Sequence, residues 1–164
     1  MRDRHCPNCG TPFVRVVAPS RGLDYVLSWF SIDPFRCQLC THEFRAASLG
    51  AGRKQAEKDR RQFTRLATSM EAHVLGSSEV TGTKRVSDIS MGGCALSGVS
   101  LPKGSFLELR LKPASEADDI HIKAAMVCSV RPDAVGVRFL ELRPDAQHRL
   151  SQVVLGLLVG QNLI

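Results

Sequence analysis

The sequence predicts a mainly β protein: a six-stranded antiparallel β-barrel with a C-terminal helix, preceded by a small cysteine-containing module. Three observations lead to this prediction. Short apolar or alternating segments recur between residues 68 and 142, separated by Gly, Pro, Ser and Asp. One later stretch has helical spacing, and two Cys-x-x-Cys pairs lie within the first 40 residues.

The first of these elements along the chain is the cysteine cluster. Each two-residue spacer lets a tight turn offer two sulfurs to one edge of a tetrahedron, which favours a tetrathiolate zinc site resembling a zinc ribbon. A redox dithiol would leave the second pair unexplained, and a disulfide framework needs an oxidising compartment, whereas residues 1–5 do not look like a signal peptide. We therefore expect a cytoplasmic protein. The predicted ligands are Cys6, Cys9, Cys37 and Cys40, with His5 and His42 close enough in sequence to substitute.

The spacing between the two cysteine pairs departs from the common zinc-ribbon pattern. Cys9 and Cys37 are separated by 27 residues, so an extended hairpin or an inserted interaction loop must fill the gap. This segment contains Tyr25, Trp29 and Phe30 and has more apolar surface than a small hairpin can bury. The surface from Tyr25 to Phe30 is therefore a candidate contact for a protein partner.

Composition divides the chain into three parts: a zinc-ribbon-like module at residues 1–45, a flexible linker at 46–59, and a barrel domain with its helix at 60–164. Positive charge is concentrated in the first half. Residues 1–65 contain 12 Lys/Arg and 6 Asp/Glu, a net +6, while residues 66–164 contain 10 of each. Such a basic region can aid solubility or meet an acidic partner, nucleic acid or an anionic membrane.

The barrel prediction rests on six segments with tight connections and no helical period. They lie at residues 68–75, 79–86, 94–99, 106–112, 120–130 and 135–142. Short strands joined by tight turns are typical of a closed or nearly closed antiparallel barrel.

A helix is predicted after the barrel, at residues 145–162. Leu150, Val154 and Leu157 belong to an i, i+3, i+4, i+7, i+8 apolar pattern, and Pro144 suits the first turn. We expect this helix to pack across the barrel, with a homodimer contact as the alternative. Its apolar run is too short and too interrupted to predict a transmembrane segment.

Two short motifs suggest a guanine-nucleotide ligand. Arg61 and Arg65 form an R-x-x-x-R pair whose planar guanidinium groups suit phosphates or the O6/N7 edge of guanine. Asp88 can accept hydrogen bonds from the N1 and N2 donors of guanine. Ser90 adds a hydroxyl, and Gly93 allows close backbone approach, completing D-x-S-x-x-G. The other interpretation is a turn shaped by Asp and Ser with solvated arginines nearby.

Together these motifs resemble the two ligand-binding halves of a PilZ domain, over roughly residues 58–145. The resemblance implies a PilZ-type barrel and a receptor for cyclic di-GMP. It also suggests that the residue before the arginine pair influences stoichiometry. Here that residue is Arg60, which favours two stacked ligands. The stretch containing Arg138 resembles the closing strand of PilZ barrels, and we expect this arginine to point outward.

No catalytic constellation is recognisable among the five histidines or the acidic residues, so we expect a binding protein rather than an enzyme. The preferred hypothesis is a cyclic di-GMP receptor whose zinc ribbon transmits binding to a partner. The main alternative is a zinc-ribbon nucleic-acid-binding regulator with the barrel as a dimerisation or control domain. A PilZ domain that only scaffolds other proteins is a third possibility.

Overall fold

The structure is a computed structural model that describes residues 4–19, 22–47, 61–75, 82–113 and 119–161. The chain forms two compact units, Met1–Thr64 and Arg65–Ile164, called here the first and second units. Most of the predicted linker, and Arg60 after it, lie outside the described residues. The domain bounds expected from the sequence stay a prediction.

The first unit is built on a three-stranded antiparallel sheet in the order β1-β2-β3. The strands are β1 (Val14–Val16), β2 (Ile32–Cys37) and β3 (Glu43–Ala47), and helix α1 (Gly22–Trp29) is inserted between β1 and β2. Phe35 and Phe44 stack with their ring centroids 5.6 Å apart, and Val17 and Leu39 are buried as well. The long gap between the cysteine pairs is therefore filled by a strand, a helix and a second strand.

Helix α1 has an unusual orientation, since its polar residue is buried and its apolar residues face solvent. Asp24 is only 3% exposed, and its Oδ1 lies 2.8 Å from Nη2 of Arg45. By contrast, Trp29 is 88% exposed and Phe30, just beyond the helix, 72%. The exposed apolar set, called here the α1 surface, comprises Leu23, Tyr25, Val26, Trp29 and Phe30.

The second unit is a closed barrel of six antiparallel strands, as predicted. Strands follow each other around the barrel as β6-β5-β8-β9-β10-β7, and pairing of β6 with β7 closes it. A short additional strand, β4, pairs with the end of β6 and was not predicted. The strands are β4 (Leu66–Ala67), β5 (Glu71–Leu75), β6 (Gly82–Ser90), β7 (Gly93–Ser97), β8 (Phe106–Lys112), β9 (Ile120–Val130) and β10 (Ala134–Glu141).

The barrel core consists of the inward-facing residues of these strands. One inward row runs through paired positions in β4, β6, β7 and β10, and all of its members are buried: Leu66, Ile89, Cys94 and Val137. Alternation of side chains along a strand makes the next position face away from the barrel interior, although some of these neighbours, such as Ser90 and Ala95, are also buried.

Helix α2 (Pro144–Gln161) follows the last strand, as predicted, and packs against β9 and β4. Its buried residues are Ala146, Leu150 and Val154, which lie on one face at a spacing of four. Among the described residues, no helix is long and apolar enough to cross a membrane.

Candidate ligand-binding site and metal centre

The four predicted zinc ligands lie together in the first unit. The Sγ atoms of Cys6, Cys9, Cys37 and Cys40 all lie within 4.8 Å of one another. Sγ of Cys6 is 3.5 Å from that of Cys40, and Sγ of Cys9 is 3.6 Å from that of Cys37. A tetrahedral zinc with bonds of about 2.3 Å separates its sulfurs by about 3.8 Å. The donor set and its spacing therefore fit one zinc ion.

Burial and hydrogen bonds shift the pKa values of three of these thiols. Burial raises the pKa of Cys6 and raises that of Cys37 to about 12. At Cys9 burial acts in the same direction, but hydrogen bonds from Thr11 and from other cysteines prevail and lower its pKa to about 6. A divalent cation would favour the thiolate form at all four positions.

The two cysteine turns share a backbone conformation directly after their second cysteine. Gly10 has φ of 71° and Thr41 has φ of 62°, both in the left-handed region. Glycine adopts this region without cost, whereas a β-branched residue is strained there. The backbone of the second turn is therefore more strained at Thr41 than that of the first turn is at Gly10.

The D-x-S-x-x-G motif forms the hairpin between β6 and β7 in the second unit. Ser90 Oγ donates to the Gly93 carbonyl at 3.2 Å and accepts from the Gly92 amide at 3.4 Å, so this hydroxyl helps to close the turn. Asp88 lies two residues earlier on β6 and is partly exposed. The motif thus combines a turn-closing serine with an accessible carboxylate.

Strand β4 brings Arg65 to this hairpin. Leu66 pairs with Ile89 and Ala67 pairs with Asp88, so the preceding residue, Arg65, comes alongside the outer face of the motif. Its Nη1 lies 3.4 Å from Asp88 Oδ1, and both side chains are partly exposed. Arg65, Asp88, Ser90 and Gly93 therefore lie together on the second unit.

Gly93 has a structural role that the sequence did not indicate. A Cβ at this position would lie 2.1 Å from the backbone oxygen of Val137 on β10. The neighbouring strand therefore requires glycine here, because no L side chain fits this approach.

An outward row of residues continues from the motif around the barrel, starting at Ser90, which is itself buried. Ser90 pairs with Gly93, Gly93 with Arg138, Arg138 with Met126, and Met126 with Phe106. Arg138 is exposed, as expected, and Phe106 is 70% exposed. Sequence reasoning missed Met126 and Phe106, although the alternation along β8 and β9 would have placed them outward.

The other half of the arginine motif lies in the first unit. Arg61 is followed by residues 62–64, which contact the second cysteine turn through the side chain of Gln38. Gln38 Oε1 accepts from the Thr64 amide at 2.7 Å, and its Nε2 donates to the Gln62 carbonyl at 3.3 Å. Since Arg61 belongs to the first unit and Arg60 lies outside the described residues, their contribution to a ligand site stays a prediction.

Comparison with known proteins identifies the second half of the chain. A family model of the PilZ domain matches residues 59–156. No curated protein sequence matches the chain significantly.

Several solved structures have a similar fold, among them a PilZ domain. The chain is similar to the inhibitor of motility MotI/DgrA from Bacillus subtilis, with 17% identity and a TM-score of 0.53 over 79% of this chain and 68% of that one. It is similar to YcgR from Escherichia coli in complex with c-di-GMP, with 16% identity and a TM-score of 0.53 over 93% and 77%. The PilZ domain of YcgR with c-di-GMP matches at 16% identity with a TM-score of 0.50, over 63% of this chain and 95% of that one.

Proposed function

The chain belongs to the PilZ domain family, and from this premise we propose that it is a receptor for cyclic di-GMP. The observation that carries the proposal is the joint exposure of Arg65 and Asp88 beside the Ser90 hairpin. A guanidinium supplies donors for phosphate oxygens or for the acceptor edge of guanine, and a carboxylate accepts from the guanine N1 and N2 donors. One small surface of the barrel therefore offers both kinds of partner that a cyclic diguanylate needs.

Binding exchanges the Arg65–Asp88 ion pair for ligand contacts. The pair is long, at 3.4 Å, and both groups are partly exposed, so its own contribution to stability is small. Each group is then free to take a stronger, charge-assisted partner on the nucleotide. Arg138, on the same outward face, adds positive charge beside the hairpin.

We assign Arg60 and Arg61 to the same ligand. Arg61 completes the R-x-x-x-R motif, and Arg60 supplies a further guanidinium that can stack on a guanine face or neutralise a second phosphate. On this basis two stacked ligands bind each barrel. A calorimetric titration that saturates at one ligand per chain would contradict this stoichiometry.

The metal centre holds the first unit together in this proposal. Cys6, Cys9, Cys37 and Cys40 bind one zinc ion, which supplies folding energy that a module with so few buried apolar residues lacks. Zinc is structural here. The ribbon, in turn, carries the output surface.

We assign output to the α1 surface, with a protein partner as its occupant. Trp29 and Phe30 are of the residue types that dominate protein interfaces, and a short helix presenting them suits an apolar groove. A membrane surface is less suitable, because membrane-surface helices present Lys or Arg on their polar side, whereas α1 contains neither and buries Asp24 there. Binding to anionic vesicles by the parent but not by a Trp29→Ala variant would overturn this assignment.

Ligand binding reaches this surface through the arginine motif. Residues 61–64 belong to the first unit, so a ligand held by Arg61 also acts on that unit. In hydrogen exchange we expect ligand to protect residues 53–66 and to alter exchange at residues 25–30. Protection confined to residues 61–66 would leave the receptor site but refute this route of transmission.

Calorimetry tests the proposed function directly. The zinc-loaded protein is titrated with cyclic di-GMP, with GTP and with a duplex oligonucleotide. We expect binding of cyclic di-GMP alone, and its loss in Arg65→Ala. Arg110→Ala is the matched control, because Arg110 is an exposed arginine on β8 outside the outward row of the motif. Binding of the oligonucleotide but not of cyclic di-GMP would favour the nucleic-acid-binding regulator instead.

A further inference from the structure

The second cysteine turn contains a buried polar side chain that no metal-binding role explains. Gln38 lies between Cys37 and Cys40 and is only 5% exposed. A buried amide is stable only when its donor and acceptor are both satisfied. The Gln38 side chain therefore needs a hydrogen-bond partner for its Nε2 and another for its Oε1.

The Gln38 amide is satisfied largely by the backbone of the arginine motif. Its Oε1 accepts from the Thr64 amide at 2.7 Å, and its Nε2 donates to the Gln62 carbonyl at 3.3 Å and to the Arg36 carbonyl at 3.2 Å. Gln38 is itself fixed, because its backbone amide donates to the Phe13 carbonyl at 2.9 Å. The side chain thus takes the place of a neighbouring strand for residues 62–64.

Two further contacts hold the same short segment. The guanidinium of Arg36 lies over the Phe63 ring, 5.2 Å from its centroid, and Arg15 Nη1 donates to Thr64 Oγ1 at 3.4 Å. Residues 62–64 are the three residues between the two arginines of R-x-x-x-R. The cysteine turn and its sheet therefore determine the path of the backbone immediately before Arg65.

We propose that Gln38 is a positioning residue for the cyclic di-GMP site, so that ligand affinity depends on the state of the metal centre. The proposal rests on the proposed function. Zinc held by Cys37 and Cys40 fixes the turn that carries Gln38, and Gln38 orders the segment that presents Arg61 and Arg65. Without this order, the ligand itself must immobilise residues 62–64, and its affinity falls.

The coupling is reciprocal. If zinc strengthens cyclic di-GMP binding by some factor, cyclic di-GMP strengthens zinc binding by the same factor. The ligand thus protects the metal centre, and removal of zinc weakens the receptor. Such a protein responds to lower concentrations of the second messenger while its thiolates are metal-bound.

The direct experiment compares Gln38→Ala with the parent. Gln38→Ala removes both side-chain contacts to residues 62–64 and leaves all four cysteines. We expect one zinc per chain by metal analysis and a loss of cyclic di-GMP affinity of about ten-fold by calorimetry, the effect of two lost hydrogen bonds. Hydrogen exchange of the Thr64 amide should rise. Asn8→Ala is the matched control, since it removes an exposed amide from the first cysteine turn and should leave affinity unchanged.

A conservative variant separates positioning from a general structural effect. Gln38→Glu keeps an acceptor for the Thr64 amide but removes the donor to Gln62, so we expect an intermediate affinity. In a double-mutant cycle, Arg61→Ala should cost less in the Gln38→Ala background than in the parent, because the unordered segment no longer presents Arg61. Additive losses would contradict positioning.

The outcomes distinguish this inference from the proposed function. A parent that fails to bind cyclic di-GMP refutes the function itself. A zinc-loaded Gln38→Ala protein with parental affinity overturns only the role of Gln38. If Gln38→Ala loses its zinc, the parent decides: in an equilibrium competition with a chromogenic chelator, saturating cyclic di-GMP should raise the zinc affinity of the parent by the factor by which zinc raises its cyclic di-GMP affinity. An unchanged zinc affinity would overturn the coupling.

Discussion

The two units of this protein are stabilised in different ways. The second unit has an apolar core, in which Leu109 and Ile122 are fully buried across adjacent strands. The first unit instead buries Asp24, Asp33 and Gln38 and leaves Trp29 and Phe30 in solvent. A small domain cannot bury enough apolar surface to fold by that means alone, and metals commonly compensate. From this difference we expect the barrel to fold by itself and the order of the first unit to depend on its metal.

Loss of the metal should give the largest difference in stability between the two units. In a variant that combines Cys37→Ser and Cys40→Ser, we expect zinc binding to be lost. The first unit then loses the binding free energy of zinc, which is about 10 to 16 kcal/mol for structural zinc in small modules. The first unit should unfold while the barrel keeps its cooperative transition. Metal analysis and thermal unfolding followed by circular dichroism measure both effects. Undiminished zinc in this variant would remove the assignment of the ligands.

A glycine substitution should affect the barrel alone. In Gly93→Ala, the new Cβ meets the Val137 oxygen, a backbone atom that cannot rotate away, so we expect a loss of about 3 kcal/mol. Gly156→Ala is the control, because a Cβ at that position in α2 meets nothing within 4 Å and alanine favours the helix by about 0.5 to 1 kcal/mol. Urea denaturation should shift the two midpoints in opposite directions; equal midpoints would contradict the close approach.

We expect ligand affinity to depend on both arginines of the R-x-x-x-R motif. Replacing either Arg61 or Arg65 by Ala should weaken cyclic di-GMP by about 2 to 3 kcal/mol, or about 30- to 150-fold, because a charge-assisted contact is lost. Asp88→Ala should act similarly. Calorimetry on the zinc-loaded variants gives these values. Parental affinity in all three would show that the site lies elsewhere.

The smallest expected effect compares the two cysteine turns. Thr41→Gly should stabilise the zinc-loaded first unit by up to about 1 kcal/mol, because it relieves a left-handed backbone at a β-branched residue. Gly10→Ala should destabilise it by a similar amount, since φ there is 71°. Thermal unfolding at saturating zinc measures both changes. A gain in stability from Gly10→Ala would contradict a left-handed backbone at Gly10.

Much of the fold was predictable because its signals are local. The segments 106–112 and 120–130 match strands β8 and β9 in full, and the helix prediction differs from α2 by one residue at each end. Alternation and helical spacing are properties of neighbouring residues, so they survive without knowledge of the tertiary contacts. The four cysteines were equally accessible to prediction, since their spacing is the turn geometry that a tetrahedral site requires.

The site was predictable only in part. Asp88, Ser90 and Arg65 come together because β4 pairs with the end of β6, yet β4 contains only Leu66 and Ala67 and has no pattern of its own. Gly93 has a second requirement that was not predicted, since its backbone approaches β10, and its role in ligand binding stays a prediction. Close contacts of this kind form between strands that are distant in sequence, here β7 and β10, so local patterns do not predict them.

The sequence by itself determined the six strands of the barrel and the C-terminal helix, because these follow from short-range spacing. It also indicated residues whose side-chain chemistry suits zinc and, as a prediction, guanine. Only the tertiary structure decided the orientation of α1, where the Asp24–Arg45 contact turns an apolar face outward against the usual pattern. It also decided the role of Gln38, whose amide partners lie 24 and 26 residues away. Hydrogen bonds between residues so far apart in sequence depend on the tertiary fold, which no local sequence pattern indicates.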